Sequence, residues 1–215
     1  MENISRLINE NQKQLNEMGT IDSEEWIVSS FLSSQDSQPT LVLDLDETLI
    51  FCASVKPRGQ SLPIKVGRRR VYIQPRPGLQ PFLAEVSKYY DIFFFTASKC
   101  NYANKIIDAI WPNTPRSHRF FRDSCKSENG YLVKDLSVIN RQLSFVLLVD
   151  DIEGSALLQP NNLIRISPFY GDMNDNVLLE QLLPLLKNAA LERDIVRAVQ
   201  QKISQSFPSE LFISR

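Results

Sequence analysis

The sequence predicts an α/β fold, a parallel central sheet with both faces covered, and three observations point that way. Four short runs rich in β-formers are too short for typical helices: LVLDLD (41–46), DIFFFTAS (91–98), SFVLLVDD (144–151) and NLIRIS (162–167). Stretches with helical spacing lie between them, and strands alternating with helices favour a parallel sheet. The first three runs each finish in carboxylates or hydroxyls, where strands of such sheets present groups to a ligand.

Residues 1–39 read as a separate extension, and residues 40–215 as the main domain. ISRLINENQKQLNEM has helical spacing at Ile4, Leu7, Ile8, Leu15 and Met18, and EEWIVSSFL suggests a second helix with Trp26, Ile27 and Phe31 on one side. A Ser/Gln-rich linker then runs to Pro39. After the first apolar run, LPIKV, a GRR turn and VYIQ read as a small β-hairpin inserted beside that strand's C-terminal end. PGLQPFLAEVSKYY predicts a helix burying Phe82, Leu83 and Val86, and NYANKIIDAIW one with Tyr102, Ile106, Ile107 and Ile110 on one face. The C-terminal NDNVLLEQLLPLLKNAALERDIVRAVQQKIS reads as one or two helices kinked near Pro184.

Composition narrows the function classes. A net charge of -1 gives no electrostatic case for nucleic acid or a membrane surface. Cys52, Cys100 and Cys125 are odd in number and form no CxxC pair, which argues against a disulfide framework or zinc site and fits a reducing compartment. No apolar run reaches membrane-spanning length, and the N-terminal stretch lacks a signal core, so a soluble intracellular protein is expected. The single histidine, His118, is expected in a surface loop after Pro115, and rules out any two-histidine mechanism.

The chemistry converges at the strand ends. Asp44 and Asp46 close the first run, Thr96 and Ser98 the second, Asp150 and Asp151 the third. Adjacent parallel strands would gather four aspartates and a threonine at one sheet edge. Such carboxylates stay ionised together only if a cation neutralises them. Oxygen ligands without His or Cys select Mg²⁺, which commonly completes its shell with water and substrate phosphate. Lys134 in YLVKDLS and Arg122 in FFRDSC are candidates to neutralise phosphate oxygens.

Other readings of the acids are weaker. An EF-hand loop starting at Asp44 would need Gly where Leu49 stands and Glu where Val55 stands. Helix capping suits Asp151 but does not explain two acids in LDLD. Cys52 and Arg58 have the C-x5-R spacing of cysteine phosphatases. That loop contains no glycine between them, Pro57 removes a needed N–H, and no helix follows, so the match reads as coincidence.

In order, LVLDLDETL, FFFTAS, FRDSC, YLVKDLS and LLVDD resemble the phosphatase domain of the RNA polymerase II C-terminal-domain (CTD) phosphatases, especially the small CTD phosphatases and NLI-interacting-factor-like proteins of the haloacid dehalogenase superfamily. The resemblance runs from about Thr40 to Leu186. It implies a haloacid-dehalogenase-like three-layer sandwich with a small β-hairpin insert after the first strand. It also implies a Mg²⁺-dependent serine/threonine phosphatase acting on the polymerase tail or another phosphoprotein. Asp44 would be the nucleophile and Asp46 the acid/base, with Thr48 fixing the loop and Thr96, Ser98, Lys134 and Arg122 on the phosphate side. Mg²⁺ would bind Asp44, the Asp46 carbonyl and Asp151, with Asp150 as a further acid. Asp150-Asp151 stands where small CTD phosphatases often carry Asp-Asn.

By position, Val55, Ile64, Val66, Val71 and Tyr102 correspond to a proline pocket that the family uses on its substrate. Val55 replaces a usual Phe and Lys99 a usual Leu, so the pocket would be shallower and more polar; ordinary hairpin packing accounts for the same residues. Arg68, Arg69 and Arg70 suit either an acidic phosphopeptide or a solvated turn. A non-catalytic binding module and a small-molecule phosphatase of the same fold are the rival readings. No direct nucleic-acid or membrane partner is expected, and nuclear location follows from the resemblance alone.

Overall fold

The computed structural model describes residues 38–206 except Arg58. Apart from Gln38 and Pro39, the helical extension expected over residues 1–39 lies outside these residues, as does the arginine of the C-x5-R pair.

The chain enters through β1 (Thr40–Leu43), whose four residues are all buried. It turns sharply and builds an antiparallel sheet from β2 (Ile50–Ala53), β3 (Leu62–Val66) and β4 (Arg69–Pro75) in the order β2-β4-β3. The expected hairpin is β3–β4, so the insert gains a third strand, IFCA, paired on β4. Then come α1 (Leu79–Val86), β5 (Asp91–Phe95), α2 (Cys100–Ile110) and the two-residue β6 (Arg119–Phe120). A second hairpin, β7 (Lys126–Glu128) and β8 (Tyr131–Val133), reverses through Asn129-Gly130, both at positive φ as a tight two-residue turn requires. β9 (Val146–Asp150), β10 (Leu163–Arg165), α3 (Leu183–Ala189) and α4 (Ile195–Ser206) complete the described chain.

The main sheet runs β10-β9-β1-β5-β6, and every pairing in it is parallel. β1 from Leu41 to Leu43 and β9 from Val146 to Val149 are apolar without alternation because both of their faces are covered; a sheet open to water on one side would alternate. On one face Val42, Phe93, Phe95, Val146 and Leu148 pack with Leu136, Ile139 and Ala156. Among the helices, α1 buries Leu79, Phe82, Leu83 and Val86 and packs against α3. Tyr90 fastens the same region by donating its hydroxyl to the Leu186 carbonyl at 2.8 Å. The expected break near Pro184 takes the form of a π turn over Val177–Leu182 leading into α3. Proline supplies no N–H and its ring crowds the carbonyl four residues back, which favours the wider turn.

Two expectations are corrected. His118 is not a free loop residue: its ring stacks on Phe93 at 3.9 Å and its Nδ1 lies 3.3 Å from Asp91. On α2 the buried row is Ala103, Ile106, Ile107 and Ile110, while Tyr102 is only half-buried and turns elsewhere. Among the described residues no helix is long and apolar enough to cross a membrane.

Register sets the position of the site. Leu43 of β1 lies beside Phe94 of β5 and Val149 of β9. The residues that follow on the three strands therefore reach the same edge: Asp44 from β1, Thr96 from β5 and Asp150 from β9.

Candidate active site

Asp44 is still half in the sheet. Its N–H donates to the Val149 carbonyl at 3.1 Å, and the residue is buried. The chain then folds back so tightly that the Leu45 carbonyl accepts from the N–H groups of Thr48, Leu49 and Ile50. Glu47 takes a positive φ of 59° to allow this, an uncommon conformation for a residue with a side chain. From behind, the fully buried Arg76 donates through Nη1 to the Thr48 carbonyl at 3.0 Å, pairs with Asp175, and lies over the Phe169 ring.

Lys134 arrives from the other side, just after β8, its N–H bonded to the Ser155 carbonyl at 2.7 Å. Its ammonium sits between Asp44 Oδ1 and Asp150 Oδ2, 2.5 Å from each, and all three side chains are buried. The next residue, Asp135, anchors this turn. It accepts from Lys126 at 2.6 Å, from the Ser137 N–H and from Gln159, and these bonds hold its carboxyl well below the usual carboxylate range. The second oxygen of Asp150 accepts from the Ile152 N–H at 2.9 Å. Thr48 donates to Asp151 Oδ1 at 3.2 Å.

Both oxygens of Asp46 accept hydrogen bonds, one from Ser98 Oγ and one from the Tyr102 hydroxyl, each at 2.6 Å. Thr96 Oγ1 accepts from the Ser98 N–H at 3.0 Å, which leaves its own proton available to donate. Arg122 lies exposed at the rim, its Nε on the Ala97 carbonyl at 2.6 Å. Asp44, Asp46, Thr96, Ser98, Arg122 and Lys134 all line one cavity of ≈ 490 Å³.

The electrostatics are lopsided. Five carboxylates, Asp44, Asp46, Glu47, Asp150 and Asp151, gather at this edge, and only Asp44 and Asp150 pair with the buried Lys134 ammonium. Burial, reinforced by Asp150 and Asp46, pushes the Asp44 carboxyl up to about 8 despite Lys134. Burial also raises Asp151, with Asp150 adding to it, and Glu47, with Asp46 and Asp151 adding to it. Lys134 moves the opposite way to a desolvated amine: burial works against its charge, but Asp150 and Asp44 outweigh that and hold the ammonium above the usual lysine range. Asp44, Asp150 and Asp151 each offer an oxygen within 4.8 Å of the others. An all-oxygen donor set with excess negative charge is what a hard divalent cation such as Mg²⁺ requires.

The structure thus brings Asp44, Asp46, Thr96, Ser98, Arg122, Lys134 and Asp150 to one cavity, with Thr48 and Asp151 bonded to each other beside it. Of the five hairpin-pocket candidates, it brings only Tyr102 to the cavity, through the bond to Asp46. Val55 is 75% exposed, Ile64 is buried opposite Val71 within the hairpin sheet, Val66 pairs with Arg69, and Tyr102 is engaged with Asp46. Cys52 lies in the middle of β2 opposite Ile73, not in a phosphate-cradling loop, and burial raises its thiol. Sequence reasoning missed Tyr131, Leu132 and Ile152 on the cavity wall. The Asn129-Gly130 pair was a usable signal for the hairpin that carries the first two.

The model for the family described as NLI interacting factor-like phosphatase matches residues 39–197. CTD small phosphatase-like protein 2 of Dictyostelium discoideum is 38% identical over 168 residues, 76% of this chain and 29% of that protein. The human CTD small phosphatase-like protein is 33% identical over 160 residues, 72% of this chain and 57% of its own length. This chain therefore spans less than two thirds of each. Among solved structures, that of Fcp1, an essential RNA polymerase II CTD phosphatase, superposes with a TM-score of 0.52 at 21% identity, covering 95% of this chain and 58% of Fcp1, a likeness of fold.

Proposed function

The chain belongs to the NLI interacting factor-like phosphatase family, and from that premise we propose that it is a Mg²⁺-dependent phosphoprotein phosphatase whose nucleophile is Asp44. The observation that carries this reading is the Asp44–Lys134–Asp150 bridge at the end of β1 and β9, with Asp151 alongside. A buried carboxylate fixed at one oxygen by an ammonium presents its other oxygen for attack.

In the reading proposed, a Ser/Thr phosphate enters the cavity with its oxygens toward Lys134 and the Thr96 hydroxyl, and Arg122 at the rim adds a further cationic donor. An Asp44 oxygen attacks phosphorus. The bond from phosphorus to the serine or threonine oxygen breaks, and Asp46 gives that oxygen its proton. Water then attacks the aspartyl-phosphate, Asp46 takes the proton back, and the Asp44 carboxylate is restored with release of inorganic phosphate. Ser98 and Tyr102 hold the Asp46 carboxyl in place through this exchange. Asp44 and Asp151, with Asp150 close by, would hold Mg²⁺, which when bound offsets the acidic charge and neutralises phosphate oxygens. The CTD small phosphatase names of the relatives support a phosphoprotein such as the polymerase tail as substrate.

The test is hydrolysis of an aryl phosphate by the purified chain, with Mg²⁺ or chelator, beside Asp44→Asn and Cys52→Ser. Turnover that needs Mg²⁺, disappears in Asp44→Asn and survives in Cys52→Ser is expected. Turnover indifferent to chelator and lost with Cys52→Ser would overturn the aspartate mechanism.

A further inference from the structure

The cavity has one wall that phosphoryl transfer does not use. Gly130, Tyr131 and Leu132 of the β7–β8 hairpin and Ile152, just after Asp151, line it. Tyr131 is 47% exposed and Ile152 52%. Neither Tyr131, Leu132 nor Ile152 touches phosphate chemistry in the scheme above, yet all three stand over the same cavity as Asp44 and Lys134.

Tyr131 is held there by a specific fit. Its ring lies against Gly154: a Cβ on that glycine would fall 2.2–2.5 Å from Cδ1, Cε1 and Cγ of the ring. The buried Gly154 belongs to the turn that follows β9, so the turn carrying Asp150 and Ile152 also seats the aromatic ring. The cross-strand partner of Tyr131 is Glu128, an exposed acid. Scattered surface apolar residues need no explanation, but an aromatic and an aliphatic side chain both half open beside a polar catalytic floor form a recognition wall. Ser98 and Arg122 add polar groups to the same lining.

Resting on the phosphatase reading, we propose that Tyr131 and Ile152 form an apolar ledge that selects phosphopeptides with a bulky apolar residue close to the phosphorylated one. A phosphate seated toward Lys134 and Thr96 places the flanking peptide against this ledge. An apolar side chain there removes the Tyr131 and Ile152 surface from water, which a glycine or a charged residue does not do. This contact is distinct from the β3–β4 hairpin, whose apolar residues stay outside the cavity lining.

The experiment measures kcat/KM on phosphoserine peptides of Gly/Ser background, with Leu, Lys or Glu placed in turn at each flanking position. Binding of the same peptides to Asp44→Asn is followed by calorimetry. Leu at one position should raise kcat/KM by about 10-fold over Gly, the scale of discrimination an apolar contact provides. Tyr131→Ser combined with Ile152→Ser should bring that ratio to about 2-fold or less, while Tyr131→Phe keeps it. A parent enzyme that hydrolyses the aryl phosphate and the peptides with no Leu preference overturns the ledge alone. So does a preference for Lys, or a Leu preference that survives in the double variant. Absence of hydrolysis of the aryl phosphate itself overturns the phosphatase reading, and the ledge with it.

Discussion

Arg76 grips Asp175 with two parallel bonds, Nε to Oδ1 at 2.8 Å and Nη2 to Oδ2 at 2.7 Å, and the remaining arm of the same guanidinium reaches the Thr48 carbonyl. A residue at the end of the inserted sheet and an acid from the loop before the π turn thus brace the turn that carries Asp44 and Asp46. Arg76 also donates to Ser167, so very little of its donor capacity is left unused.

Arg76→Met should therefore destabilise the fold by about 3 kcal/mol, because it leaves Asp175 and the Thr48 carbonyl without their partner. Urea unfolding measures this. Arg76→Lys should recover only part of the loss, since an ammonium cannot reproduce the two-pronged geometry. A fall below about 1 kcal/mol for Arg76→Met would show that the brace contributes little.

Lys134→Met should lower turnover of an aryl phosphate by about 100- to 1000-fold, as removal of one charged stabiliser of a transition state does. It also leaves Asp44 and Asp150 facing each other without the ammonium, so folding should weaken in the absence of Mg²⁺ and recover in part with it. Steady-state kinetics combined with thermal melts, with and without the metal, separate the two effects.

Tyr102→Phe removes one of the two hydroxyls on Asp46 and, with it, the partner of the Cys52 thiol. A hydrogen bond contributes about 0.5–1.5 kcal/mol, so kcat should fall by roughly 2- to 10-fold. KM for a small aryl phosphate should change little. An equal rise in KM with kcat intact would instead place Tyr102 in substrate contact.

Mg²⁺ should stabilise the chain more at high pH than at low pH. Without a cation the folded Asp44 carboxyl titrates near 8, far above its unfolded value of about 3.9. The folded state then binds more protons than the unfolded state across that interval, so stability falls as pH rises through it. Mg²⁺ competes with the proton for this carboxylate. The gain in melting temperature on adding Mg²⁺ should be small at pH 5 and larger at pH 8. Asp44→Asn should flatten the difference, and a gain independent of pH would contradict the scheme.

The central sheet was legible because strands buried on both faces must be apolar throughout, and β1, β5, β9 and β10 fall within the four apolar runs. β6 is two residues long and β2 follows a tight turn, so neither leaves a periodic trace; both owe their strand geometry to partners distant in sequence. Local spacing placed Tyr102 with Ile106 and Ile107, but spacing cannot see Asp46 on another element, and that contact turns the ring away from the core. A lone lysine such as Lys134 has no pattern of its own. The ordered set of short motifs brought it forward, and only tertiary structure shows its ammonium between two carboxylates. The hairpin residues were harder, since apolar side chains at those positions suit both internal packing and a ligand pocket.

The parallel pairing of β1 with β5 and β9 has a kinetic side. Asp44, Thr96 and Asp150 come within reach of one another only after two long loops have closed, and no hairpin along the way assembles any part of the triad early. Such non-local pairing is slow to nucleate. During refolding, helical signal should return first and phosphatase turnover last, in step with completion of β9. On the proposed reading, turnover would then report on folding: a chain still short of its final sheet has not yet gathered Asp44, Thr96 and Asp150 at one edge.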